Sequence, residues 1–340
     1  MMKGPAAAPA LLLCRAPPVK IKRSPVKRRL IEGDCGARVG SISHLTHSRI
    51  KQPAKERRPS VSQHQPANAR SRFAEIIALP DERINLAEAV LLIAAEEYPR
   101  LDVAVYLEKL DRIADIARDR ITLAVDASDY ISAMNVTLFK DYGFQGNRDN
   151  YYDPRNSFLN EVIDRRVGIP ITLSVLYIEV ARRIGFAVEG VGLPGHFIVR
   201  HRAARETIYV DPFNGGRVLG EMGCAELVAE MSGGRRLLEP EHLLPATKKQ
   251  ILTRMLSNLL GIYARNDHRR ALVIIERILL LQPDSSAHVR DHGLLLALVG
   301  QTAQAIATLE RYLKMEPAAA DAELVREQIR TIKQDCAKLN

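Results

Sequence analysis

"GLPGHFIVRHRAARETIYVDPFNGG", residues 192–216, holds two runs rich in β-branched and aromatic residues, HFIVRH and TIYVD, on either side of a short polar segment. That pattern predicts a β-hairpin. Its centre falls between Ala203 and Ala204. Symmetric pairing about that point sets Val199 against Ile208, Ile198 against Tyr209, Phe197 against Val210 and His196 against Asp211. Directly opposed residues carry Cβ atoms roughly 4.5–5.5 Å apart. His196 and Asp211 are therefore expected on one face, with the carboxylate accepting the imidazole N–H and fixing its tautomer, as a base is oriented in a nucleophile–His–Asp triad. A plainer reading gives each residue a local role, a strand-end histidine and a turn-forming aspartate ahead of Pro212. A register error of one residue would break the pairing.

Upstream of the hairpin the apolar period changes from two to three-and-four. INLAEAVLLIAAEEY (84–98) and LDVAVYLEKLDRIADIARDRI (101–121) read as amphipathic helices, and a third spans roughly Ser128 to Asp141. A Gly/Asn/Asp-rich loop from Gly143 carries the pair Tyr151 and Tyr152 and leads into a short helix from Asn156 or Ser157. The next helix opens at Pro170, which suits a first helical turn, and closes at Gly185, which suits a C-cap. Its stripe of Leu173, Leu176, Tyr177, Val180, Ala181 and Ile184 needs a surface to cover, and the strands that follow supply it.

Downstream, HRRALVIIERILLLQPDSS and TAQAIATLERYLKMEPAAA superpose at an offset of 34. This sets Ala271 on Ala305, Glu276 on Glu310, Arg277 on Arg311, Leu279 on Leu313 and Pro283 on Pro317. Thirty-four residues is the period of tetratricopeptide helix pairs. About two units are present, with ELVREQIRTIKQDCAKL as a capping helix, too few to stand alone, so they are expected to pack on the preceding domain. His288 and His292 are spaced i, i+4 without a third ligand nearby and read as solvent-facing rather than metal-binding.

The chain has 340 residues, 46% of them hydrophobic, enough for two domains and a tail. Its net charge of +9 is concentrated: residues 1–72 hold 16 Lys/Arg against 3 Asp/Glu, so residues 73–340 carry −4. The basic segment holds 8 of the 18 prolines and no apolar period, so residues 1–71 are expected to be a disordered tail or an upstream extension. No aromatic residue interleaves the basic run Lys20 to Arg29, so contact with nucleic acid is expected to be nonspecific at most. AAAPALLLC is interrupted by Pro9 and lacks a clear cleavage site, and it is read as non-secretory. Cys14, Cys35, Cys224 and Cys336 form no CxxC pair, and no apolar run approaches a membrane span. The expectations are a cytoplasmic protein without metal, cofactor or membrane association.

NYYDPRNSFLNEVIDRRVGIPITLS, RRIGFAVEGVGLPGHFIVRH and IYVDPFNGG, in that order and followed by tetratricopeptide repeats, resemble the SirB-type branch of the transglutaminase-like superfamily. The resemblance runs from about Arg72 to the C-terminus. It implies an α+β fold: a papain/transglutaminase-like domain at 72–240, with helices packed on a small antiparallel sheet, then an all-α tetratricopeptide-like module at 245–340. It also implies a nucleophilic cysteine at the start of a buried helix, with His and Asp on adjacent strands. His196 and Asp211 match the last two positions. The first falls near Pro170 or Ile171, which carry no nucleophile, although a helix start is where a thiol would be activated. Thr172 and Ser174 are weak alternatives, and the order of elements does not bring Cys224 beside His196.

Two functions follow from the resemblance. One is a nucleophile-lacking module that binds a protein or peptide partner through the cleft and the repeats, with Tyr151, Tyr152, Asn156, Gly192 and Gly195 lining the cleft. The other is a hydrolase or acyl-transfer enzyme in which His196, oriented by Asp211, activates water or a hydroxyl, with backbone N–H groups at Ile169–Thr172 as oxyanion donors.

Overall fold

A computed structural model describes residues 66–121, 124–203 and 206–339. The basic tail, up to residue 65, lies outside the described residues. Residues 66–71, assigned to that tail from sequence, instead form the first half of helix α1 (Pro66–Ile77), where Ala69 is buried. The correction has a simple cause: one helical turn of small and charged residues has too little apolar period to announce itself.

Helices α2 (Leu86–Glu97) and α3 (Val103–Arg120) follow, capped by Asn85 and Asp102, whose side chains accept the Glu88 and Ala104 N–H groups. Helix α4 (Ala127–Asn135) opens on a capping box at Asp126 and runs into a π-helical segment, Val136–Asp141. Strand β1 (Gln145–Gly146) pairs in parallel with β2 (Val167–Gly168), on either side of the tyrosine loop, a 3₁₀ turn (Pro154–Ser157) and helix α5 (Leu159–Arg165). Helix α6 (Pro170–Arg183) comes next, and Gly185, at φ +75°, ends it as the sequence predicts.

The main sheet joins β3 (Glu189–Val191), β4 (Ile198–Arg202), β5 (Thr207–Asp211), β6 (Arg217–Leu219) and β7 (Pro245–Ala246) in the order β6-β5-β4-β3-β7, every pair antiparallel. Val199 and Val210 face the large core that contains α6. Alternate residues Ile198 and Tyr209 face a second cluster with Cys224, Leu227 and Val228 of helix α7 (Glu221–Ser232). The two-residue side-chain period of a strand thus divides the sheet between two helices.

Every residue of α6 from Pro170 to Tyr177 is buried. Each fully buried Leu, Ile or Val there contributes about 1.5–3 kcal/mol, which makes this helix the centre of the domain.

Helices α8 (Lys248–Asn266), α9 (His268–Leu281), α10 (Ser286–Leu298), α11 (Thr302–Met315) and α12 (Ala322–Leu339) complete the chain. The 34-residue offset superposes α9 on α11, and the paired Ala271 and Ala305 are both fully buried. Gly293 lets α10 approach α11 closely, since a Cβ there would lie 2.7 Å from the Leu309 side chain.

As expected from the small number of repeats, they are docked. One core runs from Ala69 through α6 to Ala305. Arg277, with no exposed side-chain surface, reaches Glu96 at 2.6 Å and the Leu92 carbonyl at 3.3 Å, and lies over the Phe73 ring at 4.7 Å. Its repeat equivalent Arg311 stays exposed and donates to the Pro283 carbonyl instead. Nearby, Arg70 pairs with Glu276, and His292 lies 3.7 Å from the same glutamate. His288 and His292 are half-buried rather than solvent-facing, because their helix, α10, is packed between α9 and α11.

Candidate functional site

The observed hairpin pairs Val199 with Val210, Arg200 with Tyr209, His201 with Ile208 and Arg202 with Thr207. The turn is centred one residue later than the symmetry argument places it, and the Ala203 N–H reaches the Glu206 carbonyl at 3.0 Å. Each partner is therefore displaced by two residues, and the same register continued sets Asp211 beside Ile198 rather than His196. A shift of two leaves every side chain on its own face. Diagonal neighbours remain within reach of a long side chain. His196 precedes β4 by two residues and meets Asp211 from that diagonal position, its Nε2 lying 3.0 Å from both carboxylate oxygens.

The pair is buried, with 2% and 1% of the two side chains exposed. Asp211 also accepts the N–H groups of Phe213 at 3.1 Å and Asn214 at 3.3 Å, and the Asn214 side-chain amide at 2.6 Å. Burial alone would raise its pKa, but the bonds from His196 and Asn214 hold the carboxyl below its usual range. With Nε2 engaged, Nδ1 is the remaining ring nitrogen. It is buried and has no hydrogen-bond partner among the described residues. The Phe213 ring meets the imidazole edge-on at 5.8 Å.

His196 lines a cleft of about 490 Å³ together with Tyr151, Tyr152, Pro170, Ile171 and Gly195. Pro170 and Ile171 are the first turn of α6, which has no side-chain N-cap. Thr172 and Ser174 are fully buried. The Ser174 hydroxyl donates to the Phe197 carbonyl at 3.3 Å, and the Thr172 hydroxyl has no partner among the described residues. Cys224 lies in the apolar cluster beneath α7, where burial first, then the Asp211 and Glu221 carboxylates, push its thiol up to about 12. It holds its proton at neutral pH and is not a standing thiolate.

Two residues expected in the cleft lining have other positions. Asn156 is fully buried. Its amide donates to the Asn150 carbonyl at 2.8 Å and the Tyr151 carbonyl at 3.2 Å, and it accepts from Asn147 at 3.0 Å, so it braces the loop that presents the tyrosines. Gly192 stands behind the turn, where an added Cβ would lie 2.8 Å from Arg254 Nη1. Its missing side chain makes room for that guanidinium.

Arg254, from α8, is the residue that sequence reasoning missed. Its Nη2 donates to the Leu193 carbonyl at 2.9 Å and the His196 carbonyl at 2.6 Å, and the guanidinium lies over the Phe197 ring at 5.3 Å. The backbone of the Gly-Leu-Pro-Gly turn is thereby pinned to the helix that leads into the repeats. Arg235 and Arg236, beyond the end of α7, stand at the same cleft. Among the described residues, no group of three His, Cys, Asp or Glu side chains is placed to hold a metal, and no helix is long and apolar enough to cross a membrane.

A model of the transglutaminase-like superfamily matches residues 104–257, and a tetratricopeptide-repeat model matches residues 259–330. A UPF0162 protein of Xylella fastidiosa is 39% identical over 256 residues, which cover 74% of this chain and 91% of that protein. A UPF0162 protein of Vibrio cholerae is 29% identical over 200 residues, 58% of this chain and 74% of that one. F-box only protein 21 of Homo sapiens is 34% identical over 146 residues, 41% of this chain but 22% of that protein. The two matched modules, in this order and joined by one core, go with a relative that aligns over nearly its whole length: the chain belongs to the UPF0162 family, a transglutaminase-like domain followed by tetratricopeptide repeats.

Proposed function

We propose that this protein is a non-catalytic member of the transglutaminase-like superfamily, whose cleft and repeats bind a protein or peptide partner. The observation that carries the reading is the first turn of α6. Pro170 and Ile171 face the cleft beside His196, where neither offers a thiol or hydroxyl, while the nearby Thr172 and Ser174 hydroxyls are buried. Cys224 holds its proton inside an apolar cluster. The paired tyrosines, their rings edge-to-face at 5.4 Å, and the apolar Ile171 and Phe197 suit an extended peptide. On this reading the His196–Asp211 pair shapes the cleft and presents Nδ1 to a ligand. A cytoplasmic setting agrees with it.

The test is retention of peptides on an array of random decapeptides, with the wild type compared with Tyr151→Ala and His196→Ala. The expected result is selective retention that Tyr151→Ala weakens at least as much as His196→Ala does. An array that retains no peptide above background contradicts the proposal.

One observation favours a second reading, a hydrolase or transferase: the buried Nδ1 of His196 is free to take a proton from water or a hydroxyl. The Ile171 and Thr172 N–H groups, which have no acceptor within their own helix, would then serve as oxyanion donors.

A further inference from the structure

The cleft is cationic inside a fold whose sequence is net acidic. Arg235, Arg236 and Arg254 line it, and no Asp or Glu does. Arg235 uses its Nε on the Ser232 carbonyl, and none of the three arginines has a carboxylate partner among the described residues. Arg254 is the telling one. Its neighbours in hydrogen bonding are two backbone carbonyls, and burial lowers its pKa, the mark of a cation taken from water without a counter-charge. A partly buried guanidinium ordinarily finds a carboxylate, and here the chain supplies none.

Two further features point the same way. Helix α6 starts at the cleft with no side-chain cap, so the positive end of its dipole and its first free N–H groups meet the same space. His196, with 2% of its side chain exposed, lines the cleft with an unpartnered Nδ1, which becomes a donor when the ring is doubly protonated and its Nε2–H stays on Asp211. The surrounding Tyr151, Ile171, Phe197 and Met231 are apolar or aromatic, which selects a ligand with hydrocarbon next to its charge rather than a bare inorganic ion.

We infer that the cleft takes its peptide by a carboxylate, held between Arg254, the rim arginines and the start of α6. This rests on the peptide-binding reading and adds the chemistry of the ligand. The carboxylate comes either from an acidic side chain or from a free C-terminus, and guanidinium recognition serves both.

The probe is the same decapeptide array, printed once with amidated and once with free C-termini, and read with the full chain and with the R235Q/R236Q variant. Both substituted positions are exposed, so the fold is unaffected. The wild type is expected to retain a set enriched at least about fivefold in Asp and Glu, or in free C-termini, and which of the two is enriched identifies the source of the carboxylate. The variant is expected to lose most of that enrichment while still retaining neutral peptides. Equal retention of acidic and neutral peptides overturns the inference and leaves peptide binding standing. Enrichment that the variant keeps takes the rim arginines out of the binding site, and also overturns it. An empty array removes the peptide-binding reading and the inference together.

Discussion

His196 Nε2 lies 3.0 Å from both oxygens of Asp211, although the register of the hairpin sets the two residues one cross-strand step apart. The contact is a diagonal one, fixed by the turn before β4 and by four donors converging on the carboxylate. It gives the pair a measurable pH signature. A carboxyl whose folded pKa lies below its unfolded value of about 3.9 stabilises the fold above that value, and the contribution is lost as pH falls through the folded pKa. Asp211→Asn should cost about 1.5–3 kcal/mol at neutral pH, the range for hydrogen bonds to a charged group. Its melting temperature should fall less steeply than that of the wild type between about pH 5 and pH 3. Parallel profiles would show that Asp211 is not held ionised by this network.

Arg277 makes the attachment of the repeats equally specific. Replacing it with alanine strips Glu96 of its partner and empties the space over Phe73, which should cost about 3–5 kcal/mol in a urea titration. The double replacement Arg277→Met with Glu96→Gln keeps the volume without a lone charge, and should recover most of that loss. Equal destabilisation by both variants would mean that the Arg277–Glu96 pair itself, rather than lost volume or a stranded charge, sets the cost.

How much of this was legible in the sequence depends on how local each signal is. Helices α2, α3 and α6 follow from their apolar period and their caps, and the 34-residue offset locates α9 and α11. His196 and Asp211 were legible because a strand preserves side-chain parity even when its register moves by two. The turn centre was not, since Ala203 and Ala204 mark no particular turn type. Arg254 was invisible because its partners, the Leu193 and His196 carbonyls, lie some sixty residues upstream and carry no side-chain signature. Asn156 looked like a cleft residue for the converse reason: an amide in a loop gives no sign from sequence whether it faces a ligand or braces the loop itself.

If the first turn of α6 is the place where a nucleophile would be activated, a thiol put there should show it. In Ile171→Cys the new side chain stands at a helix start in the cleft lined by His196. Thiols at helix N-termini and beside histidine have lowered pKa values. Alkylation by iodoacetamide at about pH 6, located by peptide mass spectrometry, should be at least about tenfold faster at the introduced thiol than at Cys336, and should slow when His196→Ala is added. Equal rates at the two thiols would remove His196 from this position's surroundings.

A cleft that binds without turning over makes one kinetic demand above all. The rate at which the wild type and His196→Ala hydrolyse a panel of amide and ester substrates, before and after alkylation of the native cysteines, puts that demand to the test. Binding without chemistry predicts the same rate for all four preparations, no higher than that of buffer. A hydrolysis that survives alkylation and falls at least about a hundredfold with His196→Ala, the usual contribution of a positioned acid–base group, would contradict it.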